Sequence, residues 1–133
     1  MLRAMLALTL LASPAAAAPF LVGTWFGVGE PGDRSEMFLA RMAPDGSFHA
    51  LFRACVKGKA FDETDSGSWS LAGDMEKIHV AIVNGLPAPR DDFYKILWQN
   101  GKKQTYRYMA TGFVFTSRRV EDGFEMPGCE AIS

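Results

Sequence analysis

Between about residues 23 and 120, apolar and polar side chains alternate, and a turn residue interrupts the alternation roughly every ten positions. A period of two is the mark of a strand with one buried face. Repeated at this spacing, it predicts short antiparallel strands. A doublet frames the pattern: Gly23-Thr24-Trp25 opens the first run, and Gly67-Ser68-Trp69 recurs inside a later one. Strands are predicted over about 23–29, 35–42, 47–56, a segment ending at Leu71, 77–83, 93–99, 103–110 and 113–120. No stretch of period 3.6 is long enough to carry a crossover helix, which argues against a parallel βαβ sheet. The expected fold is therefore all-β: a single up-and-down antiparallel barrel of about eight strands. Such a barrel closes its own edges, and its interior is either filled by side chains or holds one small ligand.

The turns carry their own chemistry. Pro44-Asp45-Gly46 presets φ and then accepts a positive φ. Gly58, Gly73-Asp74 and Gly112 mark further breaks. Asn100-Gly101 is the strongest hairpin signal and predicts a type I′ turn. Asn84-Gly85 is followed by Leu86-Pro87-Ala88-Pro89-Arg90. Its two prolines argue against a central strand, so a longer connection is expected there. In the third strand, Phe48, Ala50, Phe52, Ala54 and Val56 share the better inner face, which places Cys55 outside.

Residues 1–17 are predicted to be a signal peptide. Arg3 is the positive flank. Ala4 to Ala12 is apolar but far too short to cross a hydrocarbon layer of about 30 Å. Ser13-Pro14 breaks the helix, and Ala15 to Ala18 supplies the small residues of a cleavage site, best placed after Ala17. The expected mature domain, 18–133, is a barrel with a C-terminal tail, periplasmic or secreted and with no stable membrane insertion. An oxidising compartment makes Cys55 and Cys129 a predicted disulfide between the outer wall and the tail. In the chain-entropy picture it contributes about 3–4 kcal/mol. The full chain has a net charge of −1, and loss of Arg3 with the leader makes it −2. That balance argues against a nucleic-acid partner. Lys102-Lys103 and Arg118-Arg119 read as strand ends.

The residues at the two ends of the barrel carry a family likeness. Gly23-Thr24-Trp25 at the head of the first strand resembles the Gly-X-Trp motif of lipocalins. Arg118-Arg119 in the last strand resembles the arginine that packs over the motif tryptophan at the closed end of that barrel. A guanidinium over an indole face contributes about 0.5–2 kcal/mol. The chain is most similar to compact bacterial lipocalin-like (calycin-type) exported proteins. There, Gly-X-Trp, an Asp-Gly hairpin with Phe two residues on (Asp45-Gly46, Phe48) and a later Gly-X-Trp recur. The resemblance implies a barrel end built from Gly23, Trp25, Trp69, Arg118 and Arg119.

Strand phase makes Phe48, Phe52, Tyr94, Trp98, Tyr106, Tyr108 and Phe115 candidate pocket residues, with Phe113 on the same phase as Phe115. Ala50, Ala54 and Ala110 leave space between them. No metal site or cofactor is predicted. His49 and His79 read as surface residues, Asp62-Glu63-Thr64-Asp65-Ser66 as a solvated loop, and Asp91-Asp92 as a turn or strand-end cap. No nucleophile elbow, zinc helix or phosphate loop is present in the sequence, so an enzyme is not expected. The expected function is to hold a small apolar or amphipathic ligand in the cell envelope. The alternative is a protein-interaction module, or an inhibitor of a protease or lysozyme, with a filled barrel and the Asn84–Asp92 segment as its surface.

Overall fold

A computed structural model describes residues 20–30 and 33–132; the expected leader, residues 1–17, lies outside them. The chain forms eight strands: β1 (Gly23–Glu30), β2 (Asp33–Met42), β3 (Ser47–Val56), β4 (Lys59–Ala72), β5 (Met75–Val83), β6 (Leu86–Gln99), β7 (Lys103–Tyr108) and β8 (Val114–Val120). Each pairs antiparallel with its neighbour in sequence, and β8 pairs with β1, so the sheet is a closed up-and-down barrel. A short 3-10 turn, Cys129–Ile132, ends the described chain.

Most connections are tight. Lys57-Gly58 and Asn84-Gly85 each have two consecutive positive φ angles, 51° and 75°, then 49° and 80°. They link the directly paired residues Val56↔Lys59 and Val83↔Leu86. This is the turn geometry whose twist matches the flanking strands. The Asn100-Gly101 turn differs from expectation: only Gly101 has a positive φ, 82°. The Asn100 carboxamide oxygen instead accepts the N–H groups of Lys102 and Lys103, at 3.0 and 2.8 Å.

Two further expectations are corrected. The proline-containing stretch after Gly85 is strand, not loop: β6 starts at Leu86 and pairs with β5 through Ile82↔Pro87 and Val80↔Arg90. It tolerates proline because β7 reaches only as far as Tyr94↔Tyr108. Residues 86–92 therefore form an edge with no β7 partner, where a missing N–H costs no ladder bond. The acidic stretch Asp62 to Ser66 is likewise inside a strand, β4, paired throughout with β3.

One end of the barrel is plugged. Leu21 is fully buried and joins Trp25, Met42, Phe48, Trp69 and Ile78 in the main core. The last segment runs back up the outer wall. Thr24 Oγ1 donates to Asp122 at 2.8 Å, Phe124 packs on Phe26 with ring centres 5.2 Å apart, and Arg53 donates to the Pro127 carbonyl at 2.9 Å. The Cys55–Cys129 disulfide then ties the tail to β3, with Cα atoms 5.5 Å apart. No helix among the described residues is long and apolar enough to cross a membrane.

Candidate functional site

The plugged end is held by one arginine. Arg119 lies opposite Trp25 in the β1–β8 register, with its guanidinium carbon 4.5 Å from the indole centre. Its N–H groups donate to the carbonyls of Gly101, Val22 and Phe20. Trp25 Nε1 donates to the Leu21 carbonyl at 2.9 Å, and Trp69 Nε1 to that of Ala43 at 3.0 Å. Gly23 is needed here: its φ is 136°, and a Cβ on it would stand 2.1 Å from Arg119 Nη1. Gly67 serves the second tryptophan motif. A Cβ there would meet the His79 carbonyl oxygen at 1.8 Å, so the bulge between Ser66 and Gly67 needs glycine. The neighbouring Arg118 points the other way, as period two requires. It stacks outside the barrel over Phe26 and Phe124, at 5.2 and 5.3 Å.

Above this plug the barrel contains a cavity of about 560 Å³. Aromatic rings form a connected belt around it. Phe52 contacts Phe38 (6.4 Å between centres), Phe38 meets Tyr106 edge-on (6.5 Å), and Tyr106 stacks on Phe115 (5.8 Å). Tyr94 meets Tyr106 edge-on at 5.5 Å and stacks with Tyr108 at 5.0 Å. All three tyrosines of the chain line this cavity. Gly27 permits the belt to cross β1: the Phe38 ring lies where a Cβ would be, 2.2 Å from that position.

Of the seven residues that strand phase assigns to a pocket, Phe48, Phe52, Tyr94, Tyr106, Tyr108 and Phe115 line the cavity. Trp98 does not; it is 51% exposed. The physical reason is a bulge in β6. Ile96 pairs with Tyr106 and Trp98 with Thr105, so one extra β6 residue reverses the phase. Phe113 is also exposed, in the β7–β8 connection.

The polar side chains of the interior are the part that strand phase alone did not identify. Asp65 is 1% exposed and accepts a 2.7 Å bond from Arg90. The same guanidinium donates to Asp92 at 3.0 Å, and the Tyr108 hydroxyl donates to the other Asp92 oxygen at 2.9 Å. Burial alone would lower the Arg90 pKa; Asp92 and Asp65 outweigh it and raise it. Glu63 is pushed up, chiefly by the hydrogen bond its carboxyl shares with Asp65 and then by burial. Burial also raises Tyr94 and Tyr106. Deeper in, Glu76 is 8% exposed, and burial pushes its pKa up to about 7. It has no hydrogen-bond or ion-pair partner among the described residues. Gln104, 6% exposed, lines the same cavity, and its Oε1 is unpartnered. A signal for Glu76 was present in the sequence: it lies on the same phase as Ile78 and Val80.

His49 and His79 face outward, and His79 Nδ1 lies 2.7 Å from Asp91. Asp91-Asp92 is therefore split, one carboxylate outside and one inside, rather than capping a turn. Among the described residues, no group of three or more His, Cys, Asp or Glu is arranged to hold a metal ion.

Fold and site together define a closed eight-stranded antiparallel barrel, plugged at one end and hollow above, an architecture compatible with a lipocalin-like fold. No protein-family model matches the chain, and no curated protein matches it.

Proposed function

We propose that this chain is an exported, compact lipocalin-like binding module that holds a small apolar or amphipathic molecule in the cell envelope. The observation that carries the reading is the hollow, aromatic-lined interior. At about 560 Å³, it falls within the roughly 300–1,000 Å³ of typical ligand pockets. Its lining is apolar with a few convergent polar groups, the usual composition of a site that combines affinity with orientation. The Cys55–Cys129 disulfide is consistent with an oxidising compartment.

The test is titration with the neutral fluorophore N-phenyl-1-naphthylamine, together with native mass spectrometry of protein recovered from its own host. Saturable one-to-one binding, lost in a variant that fills the cavity (Ala40→Phe with Ala54→Phe), is expected. No saturable binding by any apolar probe would remove the reading.

A second reading, a protein-interaction module, draws on one observation. Val56, Phe61 and Leu86 are more than half exposed, with Leu86 at 70%. They sit on the neighbouring β3–β4 and β5–β6 hairpins, joined by Asn84 N–H to Thr64 O at 2.8 Å. Polar replacement of Val56 and Leu86, which do not line the cavity, would abolish recovery of a specific partner while sparing probe binding.

A further inference from the structure

The cavity is not evenly apolar, and its polarity has a sign. Arg53, which lines the cavity, is already held by Asp62, and Arg90 is held by Asp65 and Asp92. Glu76 has no ion-pair partner among the described residues, so the interior carries an uncompensated acid. Two acceptors in it also lack donors: the buried Gln104 Oε1, and the carboxylate of Glu76, a residue more than nine-tenths buried that lines the cavity. A buried acceptor without a donor is destabilising, and more so if it is charged. What satisfies both is a group with several N–H donors, no acceptor and a positive charge, and an alkylammonium has these properties. The surrounding surface suits the same group, since the face of a tyrosine ring attracts cations.

We propose that the cavity selects amphipathic organic cations, seating a protonated amine against Glu76 and Gln104 and the apolar body against Tyr94, Tyr106 and Phe115. This rests on the reading of the barrel as a small-molecule binder and adds the chemical class of the ligand. The register supports the geometry: Glu76 pairs directly with Tyr94, and Tyr106 with Phe115, so acid and rings share one wall. An anionic amphiphile, such as a fatty acid, would bring a second negative charge to a site that already lacks a counter-ion, and is disfavoured.

The experiment compares three ligands with one body and different head groups: 4-phenylbutylammonium, 4-phenylbutanol and 4-phenylbutanoate, by calorimetry at about pH 8. The ammonium should bind about tenfold tighter than the alcohol, and the carboxylate most weakly. Glu76→Gln should weaken the ammonium about tenfold, bringing it close to the alcohol, and change the alcohol far less. Gln104→Leu, which keeps the charge, should weaken the ammonium more than the alcohol. An alcohol or carboxylate that binds as tightly as the ammonium would overturn the cation assignment and leave the binding-module reading standing, as would a preference untouched by Glu76→Gln. Failure of all three ligands would overturn both.

Discussion

The two halves of the barrel treat buried polar atoms in opposite ways. At the plugged end, the indole N–H groups of Trp25 and Trp69 and the guanidinium of Arg119 all find backbone carbonyls. In the hollow half, Gln104 Oε1 has no partner, and Glu76 sits buried with its pKa pushed up to about 7. A satisfied network rigidifies and specifies a fold, whereas an unsatisfied one is a standing cost. On the proposed reading, the difference separates the part of the chain that maintains the barrel from the part a ligand would occupy.

The sharpest way to break that comparison is to truncate a ring at each end. Trp25→Ala removes a side chain that is 1% exposed and should cost about 3–5 kcal/mol in urea unfolding. Phe115→Ala, whose ring already borders empty space, should cost less than about 2 kcal/mol. Equal losses would erase the distinction. Next in size is the double replacement of Cys55 and Cys129 by serine. It should lower stability by about 3–4 kcal/mol, read as a fall in the thermal midpoint, while probe binding persists.

Glu76 gives an effect of opposite sign. Its folded pKa of about 7 lies above the ordinary glutamate value of 4.5. The folded state thus holds the proton more tightly, and stability is full below about pH 4.5 and declines as the pH rises through 7. Glu76→Gln should therefore stabilise the protein at about pH 8, by roughly 3 kcal/mol, and do little at about pH 4. The difference between urea midpoints at the two pH values checks this; a variant no more stable than the parent at about pH 8 would contradict the buried, unpaired acid. The smallest effect expected is that of Tyr108→Phe. It removes the donor to Asp92 and should cost about 1–2 kcal/mol by the same unfolding measurement.

Strand phase read from the sequence located the plugged end better than the hollow half, for a physical reason. The main determinants of the plug are local: Gly23 and Trp25 on one strand, Gly67 and Trp69 on another, and an arginine pair that alternation must split. Period two alone says that one of Arg118 and Arg119 faces inward; the β1–β8 register shows that it is Arg119. In the hollow half the determinants are bulges. The extra residue near Leu97 turns Trp98 out of the cavity, and no local pattern announces it. The prolines of β6 read as loop because their tolerance depends on β7 stopping short, a fact of the neighbouring strand. Glu63, Asp65 and Asp92 read as solvated because acids usually are. What holds Asp65 and Asp92 inside is Arg90, 25 residues beyond Asp65.

The division into a plug and a binding half is tested most directly by following backbone amide resonances while titrating the protein with 4-phenylbutylammonium. Saturable shifts centred on Glu76, Tyr94, Gln104 and Tyr106, with Gly23, Trp25 and Arg119 unmoved, are the predicted result. Shifts centred on the plug, or no saturable shifts at any concentration, would contradict it.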